Sequence, residues 1–277
     1  MRTLIQNCAV TIAVCSLLGV VPVSAQDDKK QKTGPKRFHS VLELKQKGVG
    51  TVLIGGREAR STDFPASFYA RSDGGSCTGT LVSSRVMLIA AHCMDNGAQV
   101  VLNFKGTDFA GTCTHAPTYK NNPTADWALC LLGKDVTGIQ FEKLNTDASH
   151  VKVGTELLLS GYGCVKSPGT GGNDGIYRIG EVGVTQIPAG NSNDILTKGG
   201  VALCFGDSGG PAFLYLDANK RDRVVVSVNS RGNIKDTSYL SSVTTQSATD
   251  FLTSWSAQNS AKLCGLHADA ANCRKAQ

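Results

Sequence analysis

The sequence has no Cys-x-x-Cys pair, so its ten cysteines do not read as a zinc site. Beyond residue 25 it has no apolar run long enough to span a bilayer. Surplus charge is confined to one segment. The chain carries a net +6, yet residues 26–52 alone hold seven Lys/Arg against three Asp/Glu. With Arg2 set aside, the remainder holds twenty basic and nineteen acidic residues, which gives no support to nucleic-acid or membrane-surface binding by the body. The glycine-rich stretch from Gly161 to Gly175 lacks a following Lys-Ser/Thr and a helix pattern, so it reads as a surface loop and not as a phosphate loop.

What is present begins with an export signature. Arg2 precedes a mostly apolar run at 8–23, and Val23-Ser24-Ala25 offers small residues for cleavage, so residues 1–25 are expected to be a signal peptide. A membrane anchor is the rival reading, but the run is short for a spanning helix. Residues 26–52 are polar and lysine-rich and read as a propeptide or disordered leader, with 38–47 offering one short helix. Cys8 and Cys15 would leave with the signal. Eight cysteines remain, an even number in an exported chain, which favours disulfides. Secretion, to the outside or to a periplasm, is the expected location.

From Leu53 onward, short apolar runs alternate with Gly, Asn, Asp and Ser turns. Those at 77–82, 86–90, 100–104, 129–132, 156–160, 180–186 and 223–228 have the period-two pattern and β-branched content of strands, and predict an all-β domain. Residues 53–258 suffice for two compact cores closing one cleft. Phe251, Leu252 and Trp255 fall at helical spacing and predict a closing helix, with residues 259–277 as a surface tail beyond it.

The chemistry concentrates in Cys204-Phe205-Gly206-Asp207-Ser208-Gly209-Gly210-Pro211. Glycines allow the sharp turn that presents a hydroxyl, and backbone amides beside it can face a developing oxyanion. A serine needs a base, and the base needs an orienting acid. Ala90-Ala91-His92-Cys93 follows an apolar run, and Asp126-Trp127-Ala128-Leu129 opens another. Taken singly, His92 is compatible with a packed histidine, Asp126 with a turn residue and Ser208 with a turn serine. In the order His, Asp, Ser, and with Ala-Ala-His-Cys and Gly-Asp-Ser-Gly-Gly-Pro around them, they closely resemble the chymotrypsin/trypsin-like serine peptidases over about residues 53–255.

That resemblance implies an all-β fold of two six-stranded antiparallel β-barrels, with the active site between them and a C-terminal helix. His92 and Asp126 would come from the first barrel and Ser208 from the second. Ser208 would be the nucleophile, His92 the general base, Asp126 the group that fixes its tautomer, and the amides of Gly206 and Ser208 the oxyanion hole. Leu53, heading Leu53-Ile54-Gly55-Gly56, would become a new N-terminus whose ammonium pairs with Asp207; the preceding residue is Val52, so a tryptic activator would not cut there. Cys77–Cys93 is implied to brace the histidine loop, Cys113–Cys130 to tie neighbouring strands and Cys264–Cys273 to close a local loop; Cys164–Cys204 is the pair that remains.

The resemblance also places Ala202, six residues before Ser208, at the base of the main pocket, where members that bind Arg or Lys carry Asp. A buried cation would lack a counter-ion there. Ser227-Val228-Asn229 aligns with the strand that lines the pocket, Ser227 standing near the catalytic aspartate. Asn229 and, by a rougher alignment, Ser238 take places often held by glycine. The expected preference is for small or medium uncharged residues. The expected activity is that of a secreted serine endopeptidase, a monomer needing no cofactor and no metal. Protein or peptide substrates, a protease inhibitor and an activating protease are the expected partners. The alternative is a non-catalytic or permanently zymogen-like homologue that acts as a secreted binding protein.

Overall fold

The computed structural model describes residues 34–40, 53–60, 62–72, 75–172 and 174–276. The expected signal peptide at 1–25, with Cys8 and Cys15, lies outside them, as does Val52. The described strands are β1 Lys36–Ser40, β2 Arg57–Glu58, β3 Ser67–Ser72, β4 Gly75–Ser83, β5 Val86–Ile89, β6 Gln99–Phe104, β7 Thr107–His115, β8 Ala128–Leu132, β9 Glu156–Gly161, β10 Arg178–Gln186, β11 Asp194–Lys198, β12 Pro211–Tyr215, β13 Arg223–Gly232 and β14 Thr237–Ser242. The helix α1 spans Gln246–Gln258. Alternation sets the faces. In β7, Phe109, Gly111 and Cys113 point inward while Asp108, Ala110, Thr112 and Thr114 are exposed.

The first barrel closes in the order β1-β3-β4-β5-β8-β7-β6. It has seven strands where six were expected, because the leader contributes β1. Phe38–Ser40, predicted to open a short helix, is strand; the remainder of that helix, 41–47, lies outside the described residues. β1 runs antiparallel to β3 and parallel to β6, and Phe38 is fully buried. Two flanking ladders and one buried ring outweigh a weak local helix pattern. The second barrel has the expected six strands, β9 to β14, closed by the β10–β11 pairing, with short β2 added beside β10. All four implied disulfides are formed.

The barrels meet on rings. Phe64 lies 5.2 Å from Tyr177 and 5.7 Å from Phe213, and Tyr162 lies 5.1 Å from Tyr69 and 4.9 Å from Tyr177, centroid to centroid. Inside this seam Arg223 of β13 donates to both oxygens of Glu142, at 2.5 and 3.1 Å. Its guanidinium also donates to the Asp63 carbonyl at 2.7 Å and sits 3.9 Å from the Phe64 ring centroid.

Thr245 caps α1 by accepting from the Ala248 amide, and the helix buries Ala248, Phe251, Leu252 and Trp255, one stripe at the predicted spacing. The segment after α1 is more than a surface tail. The Cys264 amide donates to Val82 O at 2.9 Å, the Leu144 amide to Cys264 O at 2.8 Å, and the Arg274 amide to Phe141 O at 2.8 Å. It therefore straps the connection between the barrels, and the Cys264–Cys273 bridge holds the strap as a closed loop.

The Arg223 and Glu142 side chains are only 3% and 1% exposed, so removing one charge strands the other. Glu142→Gln is expected to lower unfolding free energy by about 3–5 kcal/mol, whereas replacing both residues by apolar ones of similar volume recovers much of the loss. Denaturant titration of the two variants checks this.

Candidate active site

β5 delivers the chain into Ala90 and Ala91, both fully buried, and then into a short 3-10 turn, Ala91–Cys93. The Cys77–Cys93 bridge ties that turn back to β4. His92 is left partly exposed at the mouth of the cleft between the barrels. Asp126 precedes Trp127 and β8 and is 2% exposed. Trp127 anchors it: the indole donates to Ser241 O of β14 at 3.1 Å, across the barrel seam.

Asp126 gathers three donors. His92 Nδ1 lies 2.6 Å from Oδ2, the His92 amide donates to Oδ1 at 2.9 Å, and Ser230 Oγ donates to Oδ2 at 2.6 Å. Burial works to raise its pKa, but the hydrogen bonds and charge of His92, with help from Ser230, outweigh burial and hold the carboxyl below its ordinary range. With Nδ1 committed to a carboxylate, Nε2 is the ring nitrogen left to accept a proton.

Ser208 lies on the turn that leads into β12 and is partly exposed. Its carbonyl accepts from the Thr78 amide at 2.8 Å, and the Gly209 amide donates to Asn229 O at 2.8 Å, so both barrels grip the turn. The Thr78 hydroxyl donates to Gly206 O at 2.8 Å. The amides of Gly206 and Ser208 have no acceptor among the described residues. His92, Asp126, Ser208 and Ser230 line one cavity of about 400 Å³ together with Leu203, Phe205, Gly232 and Ile234. The Cys164–Cys204 bridge pins its wall, and Phe205 projects from it, 61% exposed.

Three expectations for the pocket need correction. The serine that touches Asp126 is Ser230, not Ser227; the Ser227 hydroxyl is fully buried with no hydrogen-bond partner among the described residues. Val228 and Asn229 are fully buried as well. Asn229 serves the nucleophile turn, its Nδ2 donating to Ser160 O at 2.8 Å and Asp207 O at 3.3 Å. The lining triplet is Ser230-Arg231-Gly232, three residues further along β13. The glycine expected two places after the serine is Gly232, a signal visible in the sequence. Ala202 is fully buried and not part of the cavity lining; its amide bonds Ile54 O at 3.1 Å, and its neighbour Leu203 faces the cavity. Ser238 stands opposite Gly232 in the β13–β14 ladder and accepts from the Leu203 amide at 3.0 Å. Sequence reasoning also missed Arg231, which is ion-paired with Asp194 and lies 4.8 Å from the Tyr239 ring.

Asp207 is fully buried. Its carboxyl accepts from the amides of Gly163 at 2.8 Å and Cys204 at 2.9 Å. The approach is so close that a Cβ on Gly163 would lie 2.5 Å from Asp207 Cγ. Burial pushes its pKa up to about 7, against the two amides and the distant charge of Arg178. No cation pairs with it among the described residues. Leu53 is 1% exposed in the second-barrel core with φ +34°, and Ile54 bridges to Ala202 nearby.

The family model described as trypsin matches residues 53–252. The chain is 27% identical over 191 residues to a trypsin-like protease of Streptomyces glaucescens, covering 61% of this chain and 69% of that protein. It is 28% identical over 185 residues to serine protease SP24D of Anopheles gambiae, covering 60% and 68%. A solved mutant of human heparin binding protein (CAP37) shares the fold with a TM-score of 0.56 at 21% identity, over 74% of this chain and 97% of that one.

The raised pKa of Asp207 has a sign. Its contribution to stability is fully present below the ordinary value of 3.8 and is lost as pH rises through about 7. In the uncut chain the loss is on the order of 4 kcal/mol. Asp207→Asn removes the titration, so the stability gap between the two proteins is expected to shift by that order between pH 4 and pH 7.5. Denaturant titration at both pH values measures it; a gap that does not move would mean that Asp207 is ionised throughout.

Proposed function

This chain belongs to the trypsin family, and we propose that it is an exported serine endopeptidase working through His92, Asp126 and Ser208. The observation that carries the reading is the hydrogen-bonded run Ser230–Asp126–His92, which shares one cavity with Ser208, while the Gly206 and Ser208 amides have no acceptor among the described residues. In this reading Ser208 Oγ attacks a peptide carbonyl carbon and His92 Nε2 takes the hydroxyl proton. The Gly206 and Ser208 amides hold the oxyanion, and loss of one such donor removes roughly 2.7–4 kcal/mol of transition-state stabilisation. His92 then gives the proton to the leaving amine. Water, deprotonated by the same nitrogen, attacks the acyl-enzyme, and the intermediate collapses to the free acid and Ser208. Asp126 fixes the tautomer and stabilises the imidazolium, and Ser230 holds Asp126.

An extended substrate would add as a strand beside Ser230–Gly232. Leu203, Gly232 and Ile234 offer apolar walls to the cavity, and its one lining carboxylate among the described residues, Asp126, is already engaged by His92 and Ser230. This supports a preference for small or medium uncharged residues on the acyl side. The export-like start and the four disulfides support secretion. Activation by a cut before Leu53 is part of the proposal: the cut would free an ammonium close in sequence to Ile54, which already bridges Ala202, and would give Asp207 a counter-charge. It would also release Leu53 from its left-handed φ.

Labelling with a fluorophosphonate probe, after artificial cleavage before Leu53, tests the reading. The chain is expected to label and Ser208→Ala to remain unlabelled. Ser230→Ala should slow labelling roughly 10- to 100-fold, from the loss of one bond to a charged group, and Ser227→Ala should leave it nearly unchanged. No labelling of the cut chain would sink the proposal in favour of a binding homologue. A peptide library returning cleavage only after Arg or Lys would overturn the preference.

A further inference from the structure

The first barrel is closed only because β1 lies between β3 and β6. Phe38, His39 and Ser40 face Ala70, Tyr69 and Phe68 on one side, and Lys36 to His39 face Val100 to Asn103 on the other. Neighbouring strands stand about 4.8 Å apart, so removing β1 opens a gap of roughly 9–10 Å between β3 and β6, too wide for direct hydrogen bonds. Two unpaired edges would then face solvent or another chain.

The side chains of β1 are fitted as well. Phe38 is fully buried. A Cβ on Gly79 of β4 would meet Met87 Sδ at 2.6 Å and Phe38 Cε1 at 3.4 Å, so glycine at this place leaves room for both side chains. Arg37 pairs with Asp108 of β7 at 2.8 Å. Lys36 Nζ donates to Cys93 O at 2.9 Å, on the turn that carries His92. No cysteine occurs in residues 26–52, so nothing covalent would hold this segment once the chain is cut before Leu53.

We infer that Lys36–Ser40 is a permanent strand of the catalytic body, and that a chain cut before Leu53 keeps its leader as a second, non-covalently bound chain. The partner of the slot between β3 and β6 is the protein's own leader, bound by strand addition on both sides and by one buried ring. The cut itself is taken from the proposed activation. The test supplies it artificially in a Ser208→Ala background, so the result does not depend on whether the protein is a peptidase.

Replacing residues 49–52 with the factor Xa recognition sequence, by V49I, G50E, T51G and V52R, allows a single cut that leaves Leu53 first. After cleavage is complete by intact mass, native gel filtration is expected to return the leader fragment in the same peak as the body, separating only in denaturant. Phe38→Ala, introduced into the same cleavable chain, is expected to release the fragment at least tenfold faster on dilution. An unmodified leader that elutes apart from a folded body overturns the inference, and so does a Phe38→Ala fragment that stays bound as long as the unmodified one.

Discussion

Asp126 is a carboxylate with almost no access to water, and its burial depends on both barrels at once. It is carried by the first barrel, covered on one side by His92 from the same barrel, and satisfied on the other by Ser230 from the second. A buried charge without partners costs several kcal/mol, so the docking of the barrels and the ionisation of Asp126 are not separable. Trp127, the next residue, makes the same crossing through its indole bond to Ser241. The pair of residues thus fixes where His92 stands relative to the turn that carries Ser208.

The rest of the architecture can be understood as support for that registration. On the other part of the seam, Arg223 and Glu142 form a buried ion pair among Phe64, Tyr177 and Phe213, a polar lock in an apolar layer. An apolar replacement of both partners of such a pair is often no worse for stability, whereas loss of one partner strands the other's charge. The segment after α1 bonds to Val82, Leu144 and Phe141, so one strap touches the first barrel and the connection between the two. The Ser208 turn itself is held by Thr78 from one barrel and Asn229 from the other.

Much of this was legible in the sequence where a motif was long and chemically constrained. Ala-Ala-His-Cys and Gly-Asp-Ser-Gly-Gly-Pro left little freedom, and the family resemblance they carry implied three of the disulfide pairs that form and left the fourth. The helix at Phe251, Leu252 and Trp255 was legible because three large residues share one stripe. Short motifs failed. Ser227-Val228-Asn229 and Ser230-Arg231-Gly232 both begin with serine on one strand, and the β13–β14 register shifts between Asn229 and Arg231, which no period-two count reveals. β1 was hidden for a different reason. Lys36-Arg37-Phe38-His39-Ser40 has one apolar residue, and its stability as a strand comes from two neighbours distant in sequence. The Arg223–Glu142 pair joins residues 81 apart and has no local signature.

Asp126 and Asp207, both buried, are shifted in opposite directions. Asp126 and Asp207 both lose solvent, and for each the largest influence is the burial that raises the pKa. Asp126 ends below its ordinary value because a histidine able to carry positive charge lies 2.6 Å away and a hydroxyl and an amide complete its shell. Asp207 is pushed up to about 7 by burial, because among the described residues its carboxyl accepts only from two backbone amides. Amides supply hydrogen bonds without net charge, and they leave the remaining cost of an ionised, fully buried carboxylate unmet. Gly163 presses so close to Asp207 that the shell has no room to gain a side chain from that direction. A charge that satisfies Asp207 therefore has to come from outside its present shell. In the proposed activation, the ammonium freed at Leu53, next in sequence to the Ile54–Ala202 bridge, would be that charge.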